Sequence, residues 1–198
     1  MIKEQKRHPR FAAQKDATMK KLESAKKGHL VDKEAVPLID YINSLAGFYT
    51  TSSCSGRIGI FCDLGSKRES SHAGKWHGKV SVEDVRGAIE KCACYGTVWF
   101  RCEPSIFHIV SADFEGAKKL IETAIKAGLK RSGVQVMKDG RFVVEVLGTD
   151  RVDAPIMDGG KMLVADDYIE YLVGIADKKF DINNKKLKRF EGVVRECF

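Results

Sequence analysis

Eight consecutive residues, 50–57, concentrate the side chains that could do chemistry in this chain. The segment Thr-Thr-Ser-Ser-Cys-Ser-Gly-Arg carries five hydroxyl groups, one thiol and one guanidinium group. Mostly apolar stretches flank it on both sides, so the pattern predicts a strand, a polar turn and a second strand. Backbone N–H groups in such a turn attract anions, and Arg57 offers a planar fork that suits carboxylate or phosphate. The alternative interpretation is a solvated hairpin tip, with Cys54 as a small core residue.

Length and composition favour a single domain, residues 1–198, with a sizeable core. Hydrophobic residues make up 43% of the chain, and no apolar run reaches the roughly 18 residues that a membrane span needs. The N-terminal residues are charged and show no apolar signal segment, so we expect a cytoplasmic location. The six cysteines include no C-x-x-C pair, and we expect them to be reduced thiols, mostly buried.

The net charge of +7 is concentrated at the two ends of the chain. Residues 1–27 contain nine Lys or Arg against three acids, and residues 178–195 contain seven against two. The ends therefore carry +6 and +5, and the remainder carries −4. Two basic ends suit the phosphates of a nucleic acid, although solvated helix faces have the same composition.

The hydrophobic periodicity predicts an α+β fold in which β-hairpins alternate with helices. Hairpins are predicted to begin near residues 47, 96 and 132, giving three hairpin-helix units and a mixed, largely antiparallel sheet covered by helices. The end signals predict helices over 8–27, from Asp32 to Leu45, from Ser81 to about Cys92, from Asp113 to Gly128 and from Asp166 onward. The segments 65–80 and around Pro155 are expected to be irregular.

Several common enzyme signatures are absent from the sequence. There is no dinucleotide fingerprint or P-loop, and no H-E-x-x-H or G-x-S-x-G motif. A metal site could in principle be formed by Cys92, Cys94, Cys102 and His108. The spacing of these residues fits no common zinc pattern, so no metal is expected. Cys54 could be a nucleophile, but no histidine adjacent in sequence activates it.

Two further stretches carry ring-bearing or titratable side chains. Lys75-Trp76-His77 places a cation, a large π-face and a titratable ring side by side, a combination that suits phosphates and bases. Trp76 could equally fix its loop to the core. His108 lies in an apolar strand pattern, where a lone histidine is most often structural, although Glu103 just before the strand makes a site at its end plausible.

Together with residues 50–58, five other stretches occur in a fixed order: 75–77, 100–109, 128–133, 160–164 and 168–172. Their residues are Lys-Trp-His, Phe-Arg-Cys-Glu-Pro-Ser-Ile-Phe-His-Ile, Gly-Leu-Lys-Arg-Ser-Gly, Gly-Lys-Met-Leu-Val and Tyr-Ile-Glu-Tyr-Leu. The ordered set resembles the tRNA wybutosine-synthesizing protein 3 family, over roughly residues 10–192. Family members vary in the spacing of the Trp and His in the second stretch.

The resemblance implies an S-adenosylmethionine-dependent methyltransferase. Its expected substrate is N4 of a 4-demethylwyosine-type tricyclic base beside the anticodon of phenylalanine tRNA, bound through the anticodon stem-loop. It also implies a fold other than the usual parallel-sheet methyltransferase. The alternatives are an RNA-binding module without catalysis and a small-molecule or metal-binding protein.

Site residues follow from the matched motifs. The base that removes the nitrogen's proton is expected to be His77, His108 or Glu103. Lys75 and Trp76 are expected to bind RNA, with Trp76 stacking on the base. The cofactor carboxylate or an RNA phosphate is expected to be held by residues of two motifs: Ser52, Ser53, Ser55, Arg57, Ser132 and Gly133.

Overall fold

Two antiparallel sheets organise the structure, a computed structural model that describes residues 9–138 and 140–198. Contacts between residues divide the chain into two units. Unit 1 consists of the described residues of 1–55, 105–149 and 186–198, and unit 2 consists of 56–104 and 150–185. Within the described ranges, no helix combines the length and the apolar character that crossing a membrane requires.

Groups of two to four strands are separated by helices along the chain. In order, the elements are α1 (Pro9–Lys27), a 3-10 helix (Lys33–Ala35), α2 (Val36–Ser44), β1 (Phe48–Cys54), β2 (Arg57–Asp63), β3 (Ser71–Trp76), α3 (Val82–Glu90), β4 (Thr97–Glu103), β5 (Ile106–Ser111), α4 (Phe114–Lys126), β6 (Gly133–Lys138), β7 (Arg141–Leu147), β8 (Val152–Asp158), β9 (Lys161–Met162) and α5 (Asp166–Cys197).

Unit 1 contains a four-stranded sheet in the order β1-β5-β7-β6, with apolar residues on both faces. On one face, Phe107, Ile109 and Val144 belong to the main core, together with α2, α4 and the end of α5. On the other face, Tyr49, Val110 and Val143 form a smaller cluster with Phe11 of α1. Helix α1 therefore covers part of this second face.

Unit 2 contains a five-stranded sheet in the order β3-β2-β4-β8-β9. One face buries alternate residues, such as Ile58, Ile60 and Phe100, against α3 and the first part of α5. The other residues of β4 are only half-buried, which is the period-2 pattern of a sheet covered on one side.

Local signals place the helix ends where the sequence predicts them. Ser81 and Asp84 form a reciprocal capping box at the start of α3. Asp113 accepts from the N–H of Gly116 at the start of α4. Gly128 ends that region with a φ of +97°, a conformation that glycine adopts without a steric penalty.

The prediction of an α+β, largely antiparallel fold without a doubly wound sheet is confirmed, but the strand pairing differs from the predicted one. Of the three predicted hairpins, only β6–β7 forms. Strands β1 and β2 lie in different sheets, as do β4 and β5, so there are two sheets where one mixed sheet was expected. A short polar connection resembles a hairpin turn in sequence, whereas pairing is decided by residues far away in the chain.

Two segments that the sequence analysis expects to be irregular contain strands. Residues 65–80 include β3, and the segment around Pro155 is β8. Glycine in the first segment and proline in the second weaken the β pattern, yet both strands extend the sheet of unit 2. The expectation of one domain over 1–198 stays a prediction.

The cysteines also depart from expectation. Cys62 at the end of β2 and Cys94 after α3 form a disulfide across a sequence separation of 32, so the prediction of reduced thiols is wrong for this pair. Both belong to the core of unit 2. Because the two are distant in sequence, only the packing of β2 against the segment after α3 brings them within bonding distance.

The disulfide makes a first prediction. Denatured, unreduced protein should expose four reactive thiols, and reductant should raise the number to six. A loop of this length stabilises a fold by about 3 to 4 kcal/mol through the unfolded state, so Cys94→Ser should lower the free energy of unfolding in urea by a similar amount. Cys92→Ser, which leaves the disulfide intact, is the control. Six reactive thiols before reduction would contradict the prediction.

Candidate active site

A row of residues crosses all four strands of the unit 1 sheet. Ser52 of β1 lies opposite His108 of β5, His108 lies opposite Glu145 of β7, and Glu145 lies opposite Gly133 of β6. On β5 and β7 this row is two residues away from Val110 and Val143, so it shares the face that α1 partly covers. Three residues that the sequence analysis names separately therefore meet in one row.

Hydrogen bonds connect the side chains of this row. Ser52 Oγ lies 2.7 Å from His108 Nδ1, and His108 Nε2 lies 2.9 Å from Glu145 Oε2. The other carboxylate oxygen of Glu145 accepts from Gln135 Nε2 at 2.9 Å. A carboxylate can only accept, so Nε2 carries the imidazole hydrogen and Nδ1 accepts from the Ser52 hydroxyl. The arrangement has the connectivity of a serine-histidine-acid relay.

Bulges in the two edge strands shape the row. The register of β1 shifts between Thr50 and Ser52, and that of β6 shifts between Val134 and Val136. Each bulge inserts one residue and changes the face to which the following side chains point. The first turns Ser52 toward His108, and the second contains Gln135, which binds Glu145.

A cleft of about 480 Å³ lies beside Ser52. Its polar side is formed by the hydroxyl residues 50–53 of β1 and by Lys21 of α1. Its apolar side includes Leu22, Leu30 and Val31. The volume is within the range of sites for small organic ligands, about 300–1,000 Å³. Lys21 offers a cation for a carboxylate, while the aliphatic side chains offer a surface for an uncharged ring.

Some of the hydroxyl groups in residues 50–57 are engaged within the fold. Ser55 is only 1% exposed, and its N–H and hydroxyl donate to Asp32 Oδ2 at 2.7 and 3.2 Å. The Thr50 N–H donates to Asn43 Oδ1 at 2.8 Å. Thr51, Ser52 and Ser53 are the hydroxyl residues of the segment that stay at least partly exposed, and the Thr51 hydroxyl donates to the His108 carbonyl at 3.3 Å.

The second motif predicted to bind the cofactor also combines a residue engaged within the fold, Ser132, with an accessible one, Gly133. The Ser132 hydroxyl donates to the Leu129 carbonyl at 2.7 Å and accepts from the Leu147 N–H at 3.2 Å, which fixes the start of β6. Gly133, at the end of the row, has open space where a side chain would begin. Its lack of a side chain keeps the surface beside Glu145 accessible.

Three other predicted site residues belong to unit 2. Arg57 Nε and Glu103 Oε2 form a half-buried ion pair across the start of β2 and the end of β4. His77 is exposed, and its Nδ1 lies 3.2 Å from the Gly56 carbonyl oxygen, to which only a protonated ring nitrogen can donate. The ion pair between Arg57 and Glu103 holds the guanidinium and the carboxylate in fixed positions.

The predicted RNA-binding pair lies on β3. Lys75 is exposed opposite Gly59, whereas Trp76 is half-buried and packs against the unit 2 core. The Trp76 ring also covers Gly74, where a side chain would collide with it. The contacts of Trp76 thus include the core packing that the sequence analysis gave as the alternative, and a stacking role for its ring stays a prediction.

Cysteines form one group that could bind a metal ion in unit 2. The sulfur atoms of Cys62, Cys92 and Cys94 lie within 4.8 Å of one another, but two of them form the disulfide. Cys102 is fully buried, its thiol lies 3.8 Å from the Ala176 carbonyl, and burial raises its pKa to about 12. A protonated thiol and a disulfide are poor metal ligands.

Glu145, Gln135 and Lys21 are the residues of the site that the sequence analysis does not include. Glu145 is a single acid in the apolar strand β7, as His108 is a single histidine in β5. When two apolar strands each contain such a residue, the pattern indicates that the two residues could pair if the strands are neighbours in a sheet. The sequence does not show which two strands are neighbours.

Comparisons with known proteins agree on one family. Residues 13–196 match the family model described as Methyltransferase TYW3. A Methanocaldococcus jannaschii protein named tRNA(Phe) 7-((3-amino-3-carboxypropyl)-4-demethylwyosine(37)-N(4))-methyltransferase is 38% identical over 93% of both chains. A zebrafish (Danio rerio) protein named tRNA wybutosine-synthesizing protein 3 homolog is 34% identical over 91% of this chain and 72% of its own length.

Solved structures show the same fold. The PH1069 protein from Pyrococcus horikoshii OT3 superposes with a TM-score of 0.88 at 32% identity, over 96% of both chains. A hypothetical protein from Aeropyrum pernix superposes with a TM-score of 0.72 at 26% identity, over 84% of this chain and 98% of its own.

The bond from Ser55 to Asp32 generates a stability prediction. Asp32→Ala leaves a buried N–H and hydroxyl without their acceptor, so the free energy of unfolding should fall by about 1–3 kcal/mol. Asp32→Asn retains one acceptor oxygen and should lose less. Chemical denaturation measures both, with Asp16→Ala, at an exposed position of α1, as the control. Equal stability of Asp32→Ala and the wild type would contradict the structural role of this bond.

Proposed function

The chain belongs to the Methyltransferase TYW3 family, and from this premise we propose how its unit 1 site carries out methyl transfer. It is a tRNA methyltransferase of wybutosine biosynthesis, and it methylates N4 of a 4-demethylwyosine-type base of tRNA(Phe). The observation that carries this conclusion is the match over 13–196 together with relatives of the same named activity. Family membership favours the enzyme over an RNA-binding module without catalysis.

S-adenosylmethionine is our proposal for the methyl donor, which supplies an electrophilic methyl group when bound. The cleft beside Ser52 supports this choice because it joins a cation and hydroxyl groups to an aliphatic surface. Lys21 and Ser53 would hold the donor's carboxylate, and Leu22 and Val31 would contact its adenine ring. Ser55 and Ser132 are bonded within the fold and do not line this cleft, so we assign them a structural role rather than donor binding.

Ser52, His108 and Glu145 move the proton that the ring nitrogen loses. The substrate N–H gives its proton to Ser52 Oγ while the Ser52 O–H proton passes to His108 Nδ1. His108 becomes an imidazolium ion, and the Glu145 carboxylate, 2.9 Å from Nε2, stabilises that charge. Gln135 holds Glu145 in place through its other oxygen. Among the three predicted bases, we assign this role to His108.

The remaining residues of the prediction are assigned to tRNA binding. The basic ends of the chain and Lys75 supply cations for the phosphates of the anticodon stem-loop. Arg57 is held by Glu103, which fixes the guanidinium plane for a phosphate. A cytoplasmic location is part of the same proposal.

A methyl-transfer assay tests the function. Labelled S-adenosylmethionine is incubated with tRNA(Phe) that carries the 4-demethylwyosine-type precursor and, as the control, with unmodified tRNA(Phe). We expect label on the precursor-containing tRNA alone. Label on neither tRNA would overturn the proposed donor or the function.

The relay makes a specific kinetic prediction. Because a positioned base contributes about 10²–10⁴-fold, Ser52→Ala and His108→Gln should each lower kcat by at least about 100-fold, with KM for tRNA little changed. Glu145→Gln keeps an acceptor for Nε2 but removes the charge, so its loss should be smaller. Ser44→Ala, an exposed serine at the end of α2, is the control. A fully active Ser52→Ala variant would rule out the relay.

The cleft makes a second kinetic prediction. Lys21→Gln removes the cation proposed for the donor's carboxylate, so KM for S-adenosylmethionine should rise by about 10-fold, the order expected for one charge-assisted hydrogen bond. Lys20→Gln, a neighbouring exposed lysine outside this cleft, should leave KM unchanged. Equal KM values for the two variants would remove Lys21 from the donor site.

A further inference from the structure

Four ring-bearing residues form a continuous row on the open face of the unit 2 sheet. His72, Phe61, Trp99 and Pro155 lie opposite one another on β3, β2, β4 and β8. They are on the face away from the core, because the alternating residues Val98 and Phe100 are fully buried. A solvent-facing sheet surface normally carries polar side chains, so a row of four rings across four strands requires an explanation.

Contacts connect three of these rings, those of His72, Phe61 and Trp99. Phe61 and His72 meet edge to face, with centroids 5.0 Å apart. Arg101 stacks over Phe61 at 4.2 Å and lies 5.7 Å from the Trp99 ring. Burial and nearby Arg57 lower the pKa of His72, which favours the uncharged form of its ring. The result is one surface of flat, stacked groups.

A row of cations lies directly beside the rings, two residues along the strands. It consists of Lys75 and Arg101, which face Gly59 between them. Gly59 leaves room for the His72 ring, whose Cδ2 would be 3.2 Å from a Cβ at this position. Two residues further along β2 and β4, Arg57 forms its pair with Glu103.

Carboxylates border both sides of this surface. Asp153 forms ion pairs with both Arg101 and Arg151. One carboxylate therefore positions two guanidinium groups and leaves a net positive charge. On the far side of the rings, Asp63 and Asp158 lie opposite Thr97. Along the strands, the surface therefore runs from the cation row, in which Asp153 is the partner of Arg101, through the rings to Asp63 and Asp158. Phosphates of a nucleic acid would bind the cations, base planes would stack on the rings, and exocyclic amino groups would donate to the carboxylates.

We propose that this face, which we name the ring platform (Phe61, His72, Trp99, Arg101 and Lys75), binds unpaired nucleotides of the tRNA substrate. The bases stack on the rings and on the Arg101 plane, and the backbone follows the cations. This inference deepens the proposed function, on which it rests for the identity of the RNA. A protein partner fits less well, because protein interfaces are depleted in Lys and Asp, and Lys75 and Asp153 lie next to the rings on this surface.

Direct binding of fluorescein-labelled, unmodified tRNA(Phe) to the full chain, measured by anisotropy, tests the platform. Trp99→Leu and Phe61→Leu retain apolar bulk but remove the π-face. Each should raise the Kd for tRNA by about 5-fold or more, the lower bound for losing one stacked base. Arg101→Lys retains the charge but loses the plane and should weaken binding similarly. Lys75→Gln should reduce the slope of log Kd against log salt by about 0.7–0.9.

Two matched controls are available in the same unit. Tyr95, 87% exposed between α3 and β4, serves as the aromatic control in Tyr95→Leu. Lys91, exposed after α3, serves as the charge control in Lys91→Gln. Both should bind tRNA as the wild type does, and thermal unfolding confirms that each variant is folded.

The outcomes separate the platform from the proposed function. Weaker binding by folded platform variants, with unchanged controls, supports the platform even if no variant or wild-type protein transfers a methyl group. Wild-type affinity in folded Trp99→Leu and Arg101→Lys overturns the platform, even if methyl transfer to the tRNA is intact. Loss of affinity in Tyr95→Leu as well would also overturn it, because binding would then not depend on this face.

Discussion

One extra residue in β1 decides which side chains meet in the unit 1 site. Tyr49 and Ser52 are three residues apart, so a regular strand would place them on opposite faces. The bulge between Thr50 and Ser52 brings both to the same face, where Ser52 lies opposite His108. Beside the bulge, the Thr50 N–H is satisfied by Asn43 Oδ1 at 2.8 Å. Without the bulge, Ser52 would lie on the face of the apolar core, and Thr51 rather than Ser52 would lie opposite His108.

The sequence was sufficient for features that depend on neighbouring residues. The capping box of Ser81 and Asp84 and the left-handed Gly128 mark helix ends that the structure confirms. Strand pairing was not predictable in this way. Ser55 and Gly56 resemble a hairpin turn, but β1 pairs with β5 and β2 pairs with β4, at sequence separations that no local signal encodes.

The same limit applies to the candidate site. His108 is the single titratable residue of β5 and Glu145 the single acid of β7, each between apolar neighbours, and each on its own resembles a structural exception. Once β5 and β7 are paired, the two residues explain one another, because each provides the other with a hydrogen-bond partner at 2.9 Å. The hydroxyl-rich segment was recognised from composition, yet only the structure separates Ser55, which is bonded to Asp32, from Ser52, which reaches the cleft.

The hydrogen bonds of His108 determine which group can touch a substrate. Nδ1 is paired with Ser52 at 2.7 Å and Nε2 with Glu145 at 2.9 Å, so neither ring nitrogen is available to a bound base. A proton can reach the imidazole only through the Ser52 hydroxyl, which lines the cleft. Ser52 is therefore the group at the reacting nitrogen in the proposed mechanism, and His108 acts behind it. This order explains why a segment of small hydroxyl side chains, 56 residues before the histidine, lies at the site.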